Sequence, residues 1–165
     1  MEKENVLSLG IDIGSTTAKV VLVEGEKVLY DKYERHFSQV RQKTLEMLRV
    51  IEPQLRGREF TVAVSGSAGM GLANAAEIPF VQEVYATAAV VREKEPDTSV
   101  VVELGGEDAK VIFFKNGVDE RMNGTCAGGT GAFIDQMASL LDMTVGEMDA
   151  ASLTAEQLYP IATRC

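Results

Sequence analysis

The ten residues Asp12-Ile13-Gly14-Ser15-Thr16-Thr17-Ala18-Lys19-Val20-Val21 return as Glu103-Leu104-Gly105-Gly106-Glu107-Asp108-Ala109-Lys110-Val111-Ile112, at a constant offset of 91 and without a gap. Gly14/Gly105 and Ala18-Lys19-Val20/Ala109-Lys110-Val111 are identical, and an acid opens both copies. Four identities in ten do not establish a repeat, so the flanks decide. Residues 6–13 and 18–23 read as apolar strands, and Glu24-Gly25-Glu26 turns the second into a third over 27–35. The same meander comes back over 99–104, 109–114 and 118–122, its last two strands joined by Asn116-Gly117. A helical pattern follows each meander. The chain therefore reads as an internally duplicated α/β protein.

After the first meander, Ser38 reads as the N-cap of a helix with Val40, Thr44, Leu45, Leu48 and Ile51 at helical spacing, ending at Pro53. A short strand over 60–64 runs into the glycine-rich connection Ser65-Gly66-Ser67-Ala68-Gly69-Met70-Gly71. A further helix over 82–94 closes before Pro96. Lys94-Glu95-Pro96-Asp97-Thr98 is charged, contains proline and lacks apolar residues, so domain boundaries are expected at 1–96 and 97–165. In the second half, Asn123-Gly124-Thr125-Cys126-Ala127-Gly128-Gly129-Thr130-Gly131 leads into an amphipathic run over 132–141. A cysteine beside a glycine turn and a helix start suits an anion or a metal cluster.

A net charge of −9 excludes the clustered basic surface that nucleic acid or an anionic membrane would need. No apolar run reaches transmembrane length, and no signal peptide opens the chain, so a cytoplasmic location is expected. The two cysteines, Cys126 and Cys165, stand 39 positions apart, which fits neither a zinc knuckle nor a disulfide framework. Residues alone leave open two unrelated reduced thiols. The chain stops at Cys165 straight after Tyr159-Pro160-Ile161-Ala162-Thr163-Arg164, so a fragment of a longer protein is expected.

The repeated turn has a chemical use. Gly14 permits close backbone approach, and the N–H groups of Ser15, Thr16 and Thr17 form an anion-holding nest. Lys19 can reach a phosphate, and Asp12 can hold hydrated Mg²⁺. The second copy offers Gly105 and Gly106 for another close approach, with Lys110 as the repeat-mate of Lys19. Its acids Glu103, Glu107 and Asp108 are placed for a metal or a water. Two such hairpins facing one another would clamp the β- and γ-phosphates of ATP.

Asp12-x-Gly14-Ser15-Thr16-Thr17 with Glu103-x-Gly105-Gly106-x-Asp108 resembles the phosphate-1 and phosphate-2 loops of the acetate kinase/sugar kinase/actin superfamily. Adding the cysteine loop 123–131, the chain resembles the BadF/BadG/BcrA/BcrD ATPase family, the ATP-dependent activators of 2-hydroxyacyl-CoA dehydratases and benzoyl-CoA reductases. The resemblance spans nearly the whole chain. It implies a ribonuclease-H-like (actin-like ATPase) fold, one complete domain plus the first part of a second. It further implies a homodimer in which Cys126 and Cys165 of each subunit hold one shared 4Fe–4S cluster, with N–H donors from Gly128, Gly129, Thr130 and the helix behind them directed at the sulfurs. A ferredoxin or flavodoxin donor, a CoA-ester dehydratase or reductase acceptor, and Glu107 and Asp108 as catalytic residues come with it.

Several positions depart from the family's pattern. Glu103 and Glu107 stand where aspartate and glutamine are usual. Val64-Ser65-Gly66-Ser67-Ala68-Gly69 replaces a Thr-Gly-Tyr-Gly-Arg segment, and Ala132 replaces a basic residue. A divergent branch is expected, and from this piece only weak ATP binding. The rival readings are a small-molecule kinase of the same superfamily and a non-catalytic nucleotide-dependent assembly module. His36, the single histidine, reads as a surface residue at a strand end.

Overall fold

A computed structural model describes residues 6–115, 117–123 and 128–159. The chain divides into two compact units between Pro96 and Asp97.

The first unit opens with β1 (Leu7–Ile13), β2 (Thr17–Glu24) and β3 (Lys27–Arg35), followed by α1 (Val40–Leu55), β4 (Phe60–Ser65), α2 (Met70–Ala76) and α3 (Glu83–Lys94). Its sheet order is β3-β2-β1-β4, with β4 parallel to β1 and the other pairs antiparallel. Alternation in β1 and β2 places Leu7, Leu9, Ile11, Ile13, Ala18, Val20 and Leu22 in one core with Met47 and Ile51 of α1. Of the residues expected on α1's inner face, Thr44 and Ile51 are buried, whereas Leu45 is 44% exposed and Met47 takes its place.

Two expectations about α1 need correction. Ser38 is not its N-cap; Gln39 holds that position without a side-chain cap, and Ser38 has a left-handed φ of 64°. Pro53 does not end the helix, which continues to Leu55. A proline in the last turn removes only one intrahelical donor, and Leu55 packs against the core beyond it.

The second unit has β5 (Val100–Leu104), β6 (Ala109–Phe113), β7 (Asp119–Met122), α4 (Gly131–Leu140) and α5 (Val145–Ser152). The strands form an antiparallel sheet in the order β5-β6-β7. Asn116 of the expected hairpin turn lies outside the described residues. Gly117 has φ +133°, a conformation suited to glycine.

Helix α5 went unread in the sequence although its start signal was present. Thr144 and Glu147 form a capping box: Glu147 N–H donates to Thr144 Oγ1 at 3.2 Å, and Thr144 N–H to Glu147 Oε2 at 2.7 Å. Glu147 is thus an exposed acid that caps α5. The Thr144 backbone N–H, then its hydroxyl, lowers the carboxyl pKa. A carboxylate with a lowered folded-state pKa stabilises above its unfolded value and loses that contribution as pH falls through the folded one. The start of α5 is therefore expected to fray progressively below about pH 4.3, the ordinary Glu value, with no change near neutrality. Amide exchange at residues 145–148 followed against pH checks this, and Glu147→Gln should flatten the profile.

Candidate phosphate-binding site

The two repeated turns close identically. Gly14 N–H donates to Thr17 O at 2.9 Å, and Gly105 N–H to Asp108 O at 2.8 Å, each pair 91 residues from its counterpart. The register matches too: Asp12 faces Lys19 across β1–β2, and Glu103 faces Lys110 across β5–β6. In both, the lysine bonds the acid, Lys19 Nζ to Asp12 Oδ2 at 2.7 Å and Lys110 Nζ to Glu103 Oε1 at 3.3 Å. The sequence repeat is a repeat of geometry.

At the first turn, Ser15 is exposed and Thr16 and Thr17 are half-buried. Lys19 also lies over the Tyr33 ring, 5.4 Å from its centroid. While Asp12 Oδ2 takes Lys19, its Oδ1 is buried and has no hydrogen-bond partner among the described residues. A buried carboxylate oxygen lacking a donor is costly. A hydrated Mg²⁺, which seeks oxygen ligands, is a fitting complement.

The segment over 65–70, read in the sequence as a glycine-rich connection and as a departure from the family's Thr-Gly-Tyr-Gly-Arg pattern, packs directly against this turn. Ala68 N–H donates to Ile13 O at 2.9 Å. Gly66 has φ +92°, and a Cβ there would stand 2.2 Å from Ile13 O and 2.5 Å from Asp12 Oδ1. Only glycine fits between the backbone and the acid. Its glycines were the available signal; what they lie against depends on the parallel pairing of Asp12 with Ser65 across β1–β4.

His36 corrects the sequence reading. It is 4% exposed, with Nε2 3.1 Å from Gly14 O. Ser38 N–H donates to its Nδ1 at 3.2 Å, so the ring is the neutral tautomer with its proton on Nε2. His36 N–H donates to Thr16 O at 3.1 Å. Phe37 and Ser38, with φ of 46° and 64°, hold left-handed conformations that cost roughly 1–2 kcal/mol per non-glycine residue. Phe37 remains 77% exposed, so its burial returns nothing. What this strained bend achieves is the seating of His36. A lone polar ring at a strand end gave no hint of a carbonyl waiting 22 residues earlier.

At the second turn, Lys110 is buried, its side chain 5% exposed, and bonds both Glu103 and Asp108, the latter at 3.2 Å. The three acids Glu103, Glu107 and Asp108 therefore do not gather as a metal cluster. Two are drawn to one ammonium, while Glu107 points to solvent, and no group of three or more His, Cys, Asp or Glu is placed to hold a metal among the described residues. Gly105 and Gly106 stand at the turn with their carbonyls engaged: Gly131 N–H donates to Gly105 O and Ala132 N–H to Gly106 O, each at 2.8 Å.

That docking also amends the expected sulfur donors. The Gly131 and Ala132 amides serve the second turn, because α4 starts against it; within the described residues the expectation rests on Gly128, Gly129 and Thr130. Gly129 has φ +77°, and Thr130, fully buried, is the N-cap of α4. Cys126 and Cys165 lie outside the described residues. No described helix is long and apolar enough to cross a membrane.

The model of the BadF/BadG/BcrA/BcrD ATPase family matches residues 9–165. The chain is 29% identical over 164 residues to the 2-hydroxyisocaproyl-CoA dehydratase activator of Clostridioides difficile, covering 96% of this chain and 61% of that protein. It is 28% identical to the (R)-2-hydroxyglutaryl-CoA dehydratase activating ATPase of Acidaminococcus fermentans, covering 98% and 64%. The solved structure of the former activator, from Clostridium difficile with bound ADPNP, superposes with a TM-score of 0.81 at 28% identity, over 97% of this chain and 61% of that one. The fold is that of the actin-like ATPases. The chain spans less than two thirds of the length of these relatives.

Proposed function

Because this chain belongs to the BadF/BadG/BcrA/BcrD ATPase family, we propose that it is the nucleotide-phosphate-binding part of an ATP-driven, iron–sulfur-dependent activator of a CoA-ester dehydratase or reductase. The observation that carries the reading is the pair of identically closed turns, Gly14–Thr17 and Gly105–Asp108, each beside a cross-strand acid–lysine pair. Their amides take the β- and γ-phosphates of ATP, with Lys19 supplying positive charge from β2.

Mg²⁺ is assigned to Asp12, whose Oδ1 lacks a donor among the described residues, and not to Glu103, which neutralises Lys110. Glu107, solvent-facing at the second turn, orients a water, and Asp108 fixes that turn by bonding Lys110. Cys126 and Cys165 from each of two subunits supply the four thiolates that a 4Fe–4S cluster needs, which makes the working unit a homodimer. When bound, the cluster supplies one-electron chemistry at low potential, received from a ferredoxin or flavodoxin and delivered to the CoA-ester enzyme. A cytoplasmic location follows from this chemistry.

Anaerobic reconstitution of the protein, carried on a chain of its relatives' length, tests the reading. The expected result is about four irons per dimer, one 4Fe–4S cluster, lost on Cys126→Ser. Cluster absorption that is absent, or that survives the substitution, would overturn the activator reading and leave a kinase or assembly role. For this chain alone, isothermal titration should show weak binding of Mg·ATP, since it spans only part of its relatives; micromolar affinity would contradict that.

A further inference from the structure

We infer that His36 is the positioning residue of the first phosphate turn, doing there with a side chain what the N-terminus of α4 does for the second. The inference rests on the phosphate-binding role proposed for the turns. The two repeats are equivalent at this point. Gly14 O and Gly105 O occupy the same position 91 residues apart, and both are captured from behind. Gly105 O accepts from the Gly131 amide; Gly14 O accepts from the His36 imidazole.

A second carbonyl is held in each turn: Thr16 O by the His36 backbone N–H, and Gly106 O by the Ala132 N–H. The consequence follows from peptide planarity. In a trans peptide the carbonyl and the next N–H point in opposite directions, and no peptide here is cis. Holding Gly14 O and Thr16 O toward His36 sends the Ser15 and Thr17 N–H groups the other way. Holding Gly105 O and Gly106 O toward α4 does the same for Gly106 and Glu107. Each turn thus shows donors on one side and has its repelling carbonyls withdrawn on the other, as an anion site requires.

The imidazole can do this only as the tautomer protonated at Nε2, and Ser38 N–H on Nδ1 imposes that tautomer. The left-handed pair Phe37 and Ser38 brings the Ser38 amide back to the ring. The His36 ring sets the Gly14–Ser15 peptide plane, while the Thr16–Thr17 plane is held by a backbone bond that continues the β2–β3 register. The ring touches no substrate itself.

The test compares His36→Gln, which keeps an N–H at the same number of bonds from Cβ, with His36→Leu, which keeps bulk without a donor. Nitrogen-15 spectra of the wild-type ring should show the Nε2–H tautomer. The Ser15 amide resonance should move in the Leu variant and stay in place in the Gln variant, while that of Thr17, set by the backbone bond at 36, should stay in place in both. Titration with Mg·ADPNP should weaken at least fivefold in the Leu variant and less than twofold in the Gln variant. A structural role alone would shift both variants' melting temperatures without this split in affinity. Equal affinity in the two variants, or an Nδ1–H tautomer, overturns the proposal. If the wild-type chain shows no phosphate-dependent binding, the phosphate reading falls, while the tautomer and amide shifts still decide whether His36 sets the turn.

Discussion

Gly66→Ala is expected to destabilise the first unit by about 3 kcal/mol or more, combining a left-handed conformation forced on a residue with a Cβ and overpacking against fixed atoms. The φ of +92° sets the first contribution. The second comes from a Cβ 2.2 Å from Ile13 O and 2.5 Å from Asp12 Oδ1, the former a backbone atom of a central strand that cannot swing aside. Relief requires β4 and α2 to move away from β1, which breaks the Ala68 N–H to Ile13 O bond and displaces Asp12 from the first turn. Urea unfolding followed by circular dichroism reads the loss as a lower midpoint. The control is Gly71→Ala in α2, where nothing lies within 4 Å of the added atom and alanine should stabilise by roughly 0.5–1 kcal/mol. A Gly66→Ala protein as stable as the wild type would show that the Ser65–Met70 segment does not pack as described.

Lys110→Met should cost about 2 kcal/mol, whereas Lys19→Met at the equivalent position should cost less than about 1 kcal/mol. Both lysines bond the acid across the strand pair, so local sequence makes them equal. Burial separates them: the Lys110 side chain is 5% exposed and that of Lys19 48%. Removing the buried ammonium leaves Glu103 and Asp108 facing one another without a cation. Their exposure of 34% and 39% lets water relieve part of the cost, which keeps the figure below that of a fully buried pair. Removing Lys19 leaves a single acid, Asp12, with 30% of its side chain open to water, and gives up the contact with the Tyr33 ring. Chemical denaturation of the two variants under the same conditions gives the comparison, and equal losses would refute the assignment by burial.

Much of the architecture was legible because it is local. Strand alternation and the turns at Glu24-Gly25-Glu26 and over 12–17 are written in neighbouring residues, and β3 runs from Lys27 to Arg35 as read. The capping box of α5 was equally local and was overlooked. Less accessible were features set by distant chain: Met47 in place of Leu45 on the face of α1, Gly66 against Asp12, and His36 under Gly14. Each depends on which segment arrives opposite, and no short window contains that.

The repeat shows the division most clearly. Leu9, Ile11 and Ile13 are buried in β1, yet their counterparts Val100, Val102 and Leu104 are 44%, 65% and 59% exposed. On the neighbouring strands the faces exchange: Ala18 and Val20 are buried in the first unit, whereas Lys110 and Ile112, the mates of Lys19 and Val21, are buried in the second. The amino-acid sequence by itself determined the strands, the two turns and the acid–lysine pairing, because these follow from backbone register over a few residues. Only the tertiary structure decided which face of each meander is buried, and so which lysine is committed and which donor holds each turn. Burial is conferred by chain that lies outside the meander, and the meander's own residues do not encode it.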